Sequence, residues 1–257
     1  MSATLPVGAV IRRLDFQERA VRQVAVRYVR HLREAAAGGA SVADGTPFFQ
    51  AFAAVTLLGK TLVLGDSVTL IAAEMDVQPV VVWLSRGRVL AQTTFNSFQE
   101  GGRYDGLLAG GVPVRPLGDL TAGDVVDGAA TLVGFGAIDT FTGGEVAGTG
   151  FSLAGSDIAR LDPALRTALA GRRIADGRRR PLILVYDEAH ELSEEHARLL
   201  LQLGPDVILL ASATMKLPGA IAAVAGRLKA SGWRDDELTT IPRLAPAVAR
   251  GAAATTT

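Results

Sequence analysis

The residues of this chain best suited to chemistry are a glycine, a lysine and a threonine in direct succession, Gly59, Lys60 and Thr61. They separate two apolar stretches in "AFAAVTLLGKTLVLGD", a pattern that predicts a strand, a loop and a helix. Backbone amides at a helix N-terminus bind phosphate, a lysine reaches the outer phosphates and a hydroxyl holds Mg²⁺. Because the chain has 23 arginines and only three lysines, composition alone explains this lysine poorly. The segment is therefore either a phosphate-binding loop or an ordinary buried strand and helix.

Two acids, Asp187 and Glu188, stand at the end of another apolar run in "LILVYDEAH". At the carboxyl edge of a parallel sheet, the first acid can hold Mg²⁺ through water and the second can polarise the attacking water. A polar helix start is the alternative, because acids are common there. The presence of the lysine segment upstream favours the magnesium interpretation.

Two hydroxyl residues, Ser212 and Thr214, leave a third apolar run in "VILLASAT". Hydroxyls at a strand end often satisfy the amides of a turn. In a phosphate site they could instead relay the state of the phosphates to a second site. Both interpretations stay open at this point.

The composition is that of a globular protein with a sizeable core: 257 residues, of which 49% are hydrophobic, 20% charged and 5% aromatic. Basic and acidic residues number 26 each, so any surface for nucleic acid must be a local basic patch. The lack of cysteine excludes disulfides, thiolate metal sites and thiol catalysis, and three histidines leave little for a zinc site. With neither a signal-peptide core nor a run of about 18 apolar residues, we expect a cytoplasmic protein without a membrane partner.

The elements that position these residues follow from hydrophobic patterning. Short runs that are apolar on both faces predict a parallel sheet covered by helices on both sides, an α/β doubly wound fold. Residues 16–35 have helical spacing of apolar side chains, and Ser193 and Gly204 are the expected caps of a helix after "DEAH". The Gly-rich stretches 101–117 and 142–156 are predicted to be loops. The strand candidates are "AFAAVTLL", "VVVWL", "ATLVGF", "PLILVYD" and "DVILLASAT".

In this order and on these elements, "AVTLLGKT", "DEAH" and "SAT" resemble the first RecA-like domain of a superfamily 2 helicase or translocase. The nearest group is the DEAD/DEAH group that contains type III restriction subunits, and the resemblance covers most of the chain. It implies a RecA-like P-loop NTPase fold with ATP and Mg²⁺ as cofactors. It also implies that Lys60 holds the β and γ phosphates, that Thr61 and Asp187 hold magnesium, and that Glu188 acts on the water. The implied coupling residues are His190, Ser212, Ala213 and Thr214.

"DFQERAV" resembles the glutamine motif of the same family, in which Gln17 would read the adenine edge with Phe16 packing nearby. The alternative interpretation is that Gln17 is only a polar residue at the start of a helix. The family's phosphate loop has a middle glycine where this chain has Leu57, whose Cβ would strain the backbone by ~1–3 kcal/mol or crowd the β-phosphate. We therefore expect weakened ATP binding. The implied loop comprises Ala54, Thr56, Leu57, Leu58, Gly59, Lys60 and Thr61.

"VVVWLSRGRVLAQT" resembles the family's strand and loop that touch the nucleic-acid backbone, and "TLVGFGAIDTF" stands where a second such strand ends. Phosphate contacts of this kind give affinity without reading sequence. The implied partner is DNA, the preferred interpretation, or RNA, and a solvated pair of arginines is the alternative. The implied contacts are Ser85, Arg86, Arg88, Gln92 and Gly134, although Phe135 replaces the usual hydroxyl residue beside the last.

Three segments are predicted: an N-terminal helix and loop at 1–45, a RecA-like domain at 46–235 and a tail at 236–257. Superfamily 2 motors close ATP between two RecA-like domains, the second of which supplies an arginine finger. We expect a half-motor that needs a second RecA-like domain or partner subunit and turns over ATP slowly alone. The alternatives are a non-catalytic nucleotide-sensing scaffold, disabled at Leu57, and a RecA-like ATPase that binds no nucleic acid.

Overall fold

Seven strands form one parallel sheet in the computed structural model, which describes residues 11–38, 45–54, 58–108, 112–138 and 162–241. The strands are β1 (Phe48–Ala53), β2 (Val80–Arg86), β3 (Val114–Pro116), β4 (Leu132–Ile138), β5 (Leu182–Asp187), β6 (Val207–Ser212) and β7 (Thr239–Thr240). Their order across the sheet is β3-β4-β2-β5-β6-β1-β7, and all six neighbouring pairs are parallel.

Eight α-helices connect or flank these strands in the described ranges. The chain moves across the sheet in one direction from β1 to β2 and to β3, and in the other direction from β4 through β5 and β6 to β7. Because crossovers between parallel strands are right-handed, the two directions place helices on opposite faces. The helices are α1 (Asp15–Ala36), α2 (Lys60–Ala73), α3 (Arg88–Phe98), α4 (Ala122–Val126), α5 (Pro163–Ala170), α6 (Glu194–Gln202), α7 (Gly219–Ala230) and α8 (Asp235–Leu238).

The central strands are buried on both faces, which explains their continuous apolar sequences. Every residue of β5 and of β6 is buried. On β2, Trp83 stacks on Phe135 of β4 with ring centroids 5.5 Å apart, and Phe98 of α3 covers both rings. A sheet covered on both sides needs this apolar pattern, since both sets of alternating side chains face helices. The structure confirms the predicted α/β doubly wound fold.

The first helix, α1, packs along α2 and against β1, the strand next to the β7 edge of the sheet. Val24 and Tyr28 are buried, and Tyr28 meets Phe48 edge to face with ring centroids 5.4 Å apart. Arg27 extends this contact, because its Nη1 donates to Gln50 Oε1 at 2.9 Å. The helix predicted over residues 16–35 is confirmed, although one of its apolar residues, Leu32, is 37% exposed. No helix in the described ranges combines the length and apolarity needed to cross a bilayer.

Several element boundaries differ from the sequence prediction. The first strand begins at Phe48, upstream of "AFAAVTLL", and ends at Ala53. The stretch 101–117, predicted to be a loop, contains the three-residue edge strand β3, too short for a periodic signal. Residues 236–240, expected in the tail, form the end of α8 and β7, which pairs with β1. The predicted loop at 142–156 lies outside the described residues.

Candidate functional site

The carboxyl ends of β1, β5 and β6 lie at one edge of the sheet. In the parallel register, Ala53 pairs with Ser212 and Asp187 pairs with Ala211. The helix that follows β1 begins at Lys60. The lysine, the acids and the hydroxyl residues of the three motifs are therefore neighbours, although Lys60 and Thr61 lie more than a hundred residues from the two acids along the chain.

Gly59 brings the chain into α2 through a left-handed conformation, φ 74° and ψ 38°, which glycine adopts without steric cost. A Cβ atom at this position would lie 2.4 Å from the Gln17 Nε2. The first hydrogen bond of α2 runs from the Val63 amide to the Gly59 carbonyl at 3.1 Å. The amides of residues 60–62 precede that bond, so this helix start has the donors that bind phosphate.

Lys60 is the cation of the site. Its ammonium group donates to Glu188 Oε1 at 2.7 Å, and the Lys60 side chain is only 6% exposed. A buried ammonium needs a negative partner, because leaving it unpaired in a poorly solvated place is costly. An incoming phosphate would therefore compete with the Glu188 carboxylate for this lysine.

Asp187 is the last residue of β5 and is buried beneath the start of α2. Thr61 Oγ1 donates to its Oδ2 at 3.0 Å, and the Glu188 amide donates to its Oδ1 at 3.0 Å. Burial raises the pKa of Asp187, and the hydrogen bond from Thr61 opposes that rise. The carboxylate and hydroxyl oxygens are of the kind that Mg²⁺ prefers, and a divalent cation would offset the cost of burying the charged carboxylate.

Glu188 has a left-handed backbone, with φ 66° and ψ 47°, and is the one non-glycine residue with positive φ among the described residues. This conformation costs a residue with a Cβ on the order of 1–3 kcal/mol. The chain turns sharply here from β5 into a short 3-10 turn at Ala189–Glu191. The turn places the Glu188 carboxylate against Lys60, whereas a continued strand would carry it past that lysine.

The predicted coupling residues form a hydrogen-bonded chain beside Glu188. His190 Nδ1 lies 2.9 Å from Ser212 Oγ, which donates to the Thr214 carbonyl at 2.7 Å. The same ring nitrogen lies 3.4 Å from Glu188 Oε2. Since the Thr214 carbonyl can only accept, the Ser212 hydroxyl hydrogen points to it, and His190 Nδ1 donates to Ser212. Ala213 and Thr214 are exposed at the surface.

Gln17 contacts the segment before α2 directly. Its Nε2 donates to the Leu58 carbonyl at 2.9 Å, and its Oε1 accepts from the Leu14 amide at 2.8 Å, which caps the start of α1. The side chain is buried, and Phe16 beside it is half-buried. These bonds give Gln17 a positioning role on the loop, while its reading of adenine stays a prediction.

The loop itself is described only at its two ends. Ala54 is buried, and its amide donates to the Ser212 carbonyl at 2.9 Å, continuing the pairing of β1 with β6. At the other end Leu58 is held by Gln17. Thr56 and Leu57 lie outside the described residues, so the effect of Leu57 also stays a prediction.

Three of the predicted nucleic-acid contacts lie at or near the surface. Arg86 ends β2 at the same sheet edge and donates to Glu191 Oε1 at 2.7 Å. Arg88 begins α3, and Gln92 on the next turn donates to Asn96 Oδ1 at 2.9 Å. Arg86 and Arg88 stand where β2 ends and α3 begins, at the carboxyl edge of the sheet.

The other two predicted contacts are buried in this structure, and their contact with nucleic acid stays a prediction. Ser85 is 1% exposed, and its hydroxyl has no hydrogen-bond partner among the described residues. Gly134 lies in the amino-terminal half of β4, away from the carboxyl edge. A Cβ there would come within 2.7 Å of Leu120 and 2.9 Å of Leu117, so this glycine serves close packing.

Two contacts of this region carried no signal in the sequence. Arg13 holds Asp66 of α2 with two bonds, Nε to Oδ2 at 2.5 Å and Nη2 to Oδ1 at 2.7 Å. Glu191 pairs with Arg86, which lies 105 residues away in the chain. Neither pairing follows from a motif or from periodicity, because both depend on how elements far apart in the chain pack together.

Metal binding by protein groups alone is not indicated, since no group of three His, Cys, Asp or Glu side chains converges in the described part of the chain. A magnesium ion here would therefore need oxygen ligands from a bound phosphate in addition to Thr61 and Asp187.

No protein-family model matches this chain, and the comparison with curated proteins found no significant match.

Proposed function

We propose that this chain is an ATP-binding, Mg²⁺-dependent RecA-like domain that hydrolyses ATP and acts on nucleic acid as part of a DEAD/DEAH-type helicase or translocase. The observation that carries the proposal is the paired contact of Lys60 with Glu188 at 2.7 Å and of Thr61 with Asp187 at 3.0 Å. A lysine, a hydroxyl and two acids at the N-terminus of one helix are the groups that phosphoryl transfer from ATP requires.

In this proposal each residue acts through an atom already in position. Lys60 Nζ would exchange Glu188 for the outer phosphate oxygens of ATP, since both are anions. Glu188, released from Lys60, would accept a proton from the attacking water. Thr61 Oγ1 and Asp187 would hold Mg²⁺, which would neutralise the charge that develops on the phosphates.

The proposed nucleic-acid surface rests on Arg86 and Arg88 at the carboxyl edge of the sheet and the start of α3. Arginines placed there would contact phosphodiesters of DNA, or of RNA, without reading the bases. Because the chain as a whole has no net charge, such a patch would have to act locally. A second RecA-like domain, or a partner subunit, would supply the arginine finger that closes the ATP site.

Calorimetric titration with ATP and Mg²⁺ tests the nucleotide part of this proposal. We expect the chain to bind ATP, Lys60→Ala to abolish binding, and Lys216→Ala, a matched change at an exposed lysine, to leave it intact. Absence of binding by the unchanged chain would refute the proposal.

Fluorescence anisotropy of a labelled oligonucleotide at low salt tests the nucleic-acid part of the proposal, because phosphate contacts are strongest at low salt.

The second candidate function is a nucleotide-sensing scaffold without turnover, favoured by Leu57 in place of the family's glycine. The two functions differ in what Glu188→Gln would do. An enzyme would lose hydrolysis, whereas a scaffold would show none to lose and would keep its binding. An ATPase that does not act on nucleic acid would bind ATP but no oligonucleotide.

A further inference from the structure

We propose that a cleft at the amino-terminal edge of the sheet binds a small, uncharged, mostly apolar molecule that carries a carbonyl oxygen. The cleft has a volume of about 400 Å³, within the range of small-molecule sites. Gln78 and Thr131, which line it, stand just before β2 and β4 begin. Because the strands are parallel, this edge is opposite the one where Lys60 meets Glu188, so the cleft is separate from the proposed nucleotide site.

The walls of the cleft are apolar. Val68 and Ala72 of α2 form one side, and Leu108 and Val112 contribute from the segment before β3. All the described residues that line the cleft are uncharged. A phosphate or a carboxylate bound here would therefore lose water without gaining a counter-charge, and this disfavours nucleotides and other anions.

Side-chain hydrogen bonds join the segments around the cleft to one another. Thr69 Oγ1 on α2 donates to the Leu107 carbonyl at 3.1 Å. Arg180 is fully buried, and it donates through Nε to the Gln78 carbonyl at 2.9 Å and through Nη2 to the Ala130 carbonyl at 2.6 Å. These bonds hold the shape of the cleft before a ligand arrives, so little binding free energy is lost to ordering it.

One side chain in the cleft keeps a hydrogen to donate. Thr131 Oγ1 donates to Gln78 Oε1 at 2.7 Å, which orients the Gln78 amide. The Nε2 of that amide donates to none of the described residues. The hydroxyl hydrogens of Thr69 and Thr131 are both engaged within the protein. A ligand therefore gains most by offering an acceptor to Gln78, and a carbonyl oxygen does so without bringing a charge into an apolar cleft.

The test uses the fluorescent ketone prodan, a propionyl dimethylaminonaphthalene that is uncharged, apolar and carries one carbonyl oxygen. Its emission moves to shorter wavelengths in apolar surroundings, so a titration measures its affinity, and we expect saturable binding to the unchanged chain. Ala73→Phe changes an exposed residue of α2 that lines the cleft, and it should weaken binding about tenfold or more by filling the space. Ala223→Phe, at an exposed alanine of α7 outside the cleft, is the matched control and should leave the affinity unchanged.

Gln78→Glu tests the hydrogen bond separately from the shape of the cleft. Glutamate keeps an oxygen to accept from Thr131 but has no N–H to donate. Dimethylaminonaphthalene, which lacks the carbonyl, is the matched probe. We expect prodan to lose about fivefold more affinity than dimethylaminonaphthalene in this variant. Circular dichroism checks that each variant folds, and Ala129→Phe, at an exposed lining residue outside α2, replaces Ala73→Phe if the latter does not.

Four results would overturn the inference. The first is the absence of saturable prodan binding to the unchanged chain. The second is unchanged affinity in a folded variant that fills the cleft, and the third is an equal loss of the two probes in Gln78→Glu. The fourth is binding of anilinonaphthalene sulfonate, an anion, as tightly as prodan with the same loss in Ala73→Phe, which would show that the cleft accepts anions. These measurements involve neither ATP nor nucleic acid, so they stand apart from the proposed function.

Discussion

The ammonium of Lys60 and the carboxylate of Glu188 lie 2.7 Å apart, and they join the start of α2 to the end of β5 across 128 residues of chain. In the free protein these two groups neutralise each other. For a nucleotide site this means that the phosphate-binding cation and the proposed general base are both engaged until a phosphate separates them.

Replacing Glu188 by glutamine should tighten ATP binding about tenfold, because Lys60 would no longer be held by a carboxylate. The same change should lower turnover by about 100-fold or more, since it removes the general base. Calorimetry and phosphate release measure the two effects. Glu195→Gln, an exposed acid on α6, is the matched control and should change neither. Weaker ATP binding in Glu188→Gln would contradict the proposed competition.

We expect the buried carboxylate of Asp187 to lower the stability of the fold at neutral pH, although the proposed function needs it to hold Mg²⁺. Its pKa is raised by burial, so the folded state takes up a proton more readily than the unfolded state does. The carboxyl group therefore favours folding at low pH, and that contribution is lost as pH rises through the folded pKa. We expect Asp187→Asn to raise the melting temperature of the nucleotide-free protein at neutral pH and to have a smaller effect near pH 4.

Asp187→Asn should also abolish the dependence of ATP binding on Mg²⁺, because a neutral amide is a poorer ligand for that ion. Calorimetric titrations with ATP, with and without Mg²⁺, would measure this. A lower melting temperature for the asparagine variant at neutral pH would show that the carboxylate is stabilising, contrary to the argument from burial.

His31 makes the stability of the fold depend on pH. It is buried between Phe48 and Trp233, its Nδ1 has no hydrogen-bond partner among the described residues, and burial lowers its pKa. The group facing it with a charge is Glu34, which partly opposes that shift. Because the unfolded chain binds the proton more readily, stability should fall as pH drops below about 6.5, the ordinary histidine value.

Urea unfolding at several pH values between 5 and 8 would measure the contribution of His31. The His31→Phe variant keeps an aromatic ring of similar shape and should show a smaller loss of stability on acidification than the unchanged chain. Parallel losses in the two proteins would rule out His31 as the cause.

We expect the main role of Gln17 to be holding the loop before α2 in place, and contact with a nucleotide base to be secondary. Replacing it by alanine removes the bonds to the Leu58 carbonyl and the Leu14 amide, which should cost ~1–3 kcal/mol of stability. The loosened loop should bind ATP and GTP more weakly by similar factors. If Gln17→Ala instead weakened ATP alone, the adenine-reading role would be supported. Competition titrations with the two nucleotides would distinguish these results.

The expected effect of Leu57 on ATP affinity depends on the sequence alone. A leucine at the position where the resembled family has glycine strains or crowds a phosphate loop, so Leu57→Gly should tighten ATP binding, by up to about tenfold if ~1.4 kcal/mol is relieved. Leu58→Gly is the neighbouring control and should not improve affinity. Equal affinities of the unchanged chain and Leu57→Gly would mean that the loop accepts leucine without cost.

The secondary structure and the fold class were predictable because they depend on local patterns. Apolar runs without polar interruption, such as that of β5, occur where both faces of a strand are covered, and they mark central parallel strands. Ser193 and Gly204 were recognised as helix caps because a hydroxyl that accepts from an amide and a left-handed glycine are local requirements. Short edge strands such as β3 have too few residues to show any period.

The sequence by itself determined the central strands and the longer helices, and that a lysine, a threonine and two acids follow strand ends. Only the tertiary structure decided how those groups meet, because strand order is set by packing between segments far apart in the chain. Thus β6, last of the central strands in the sequence, lies between β5 and β1 and brings Ser212 to His190. The same packing buried Ser85 and Gly134, placed Glu191 beside Arg86 and turned Gln17 toward the Leu58 carbonyl.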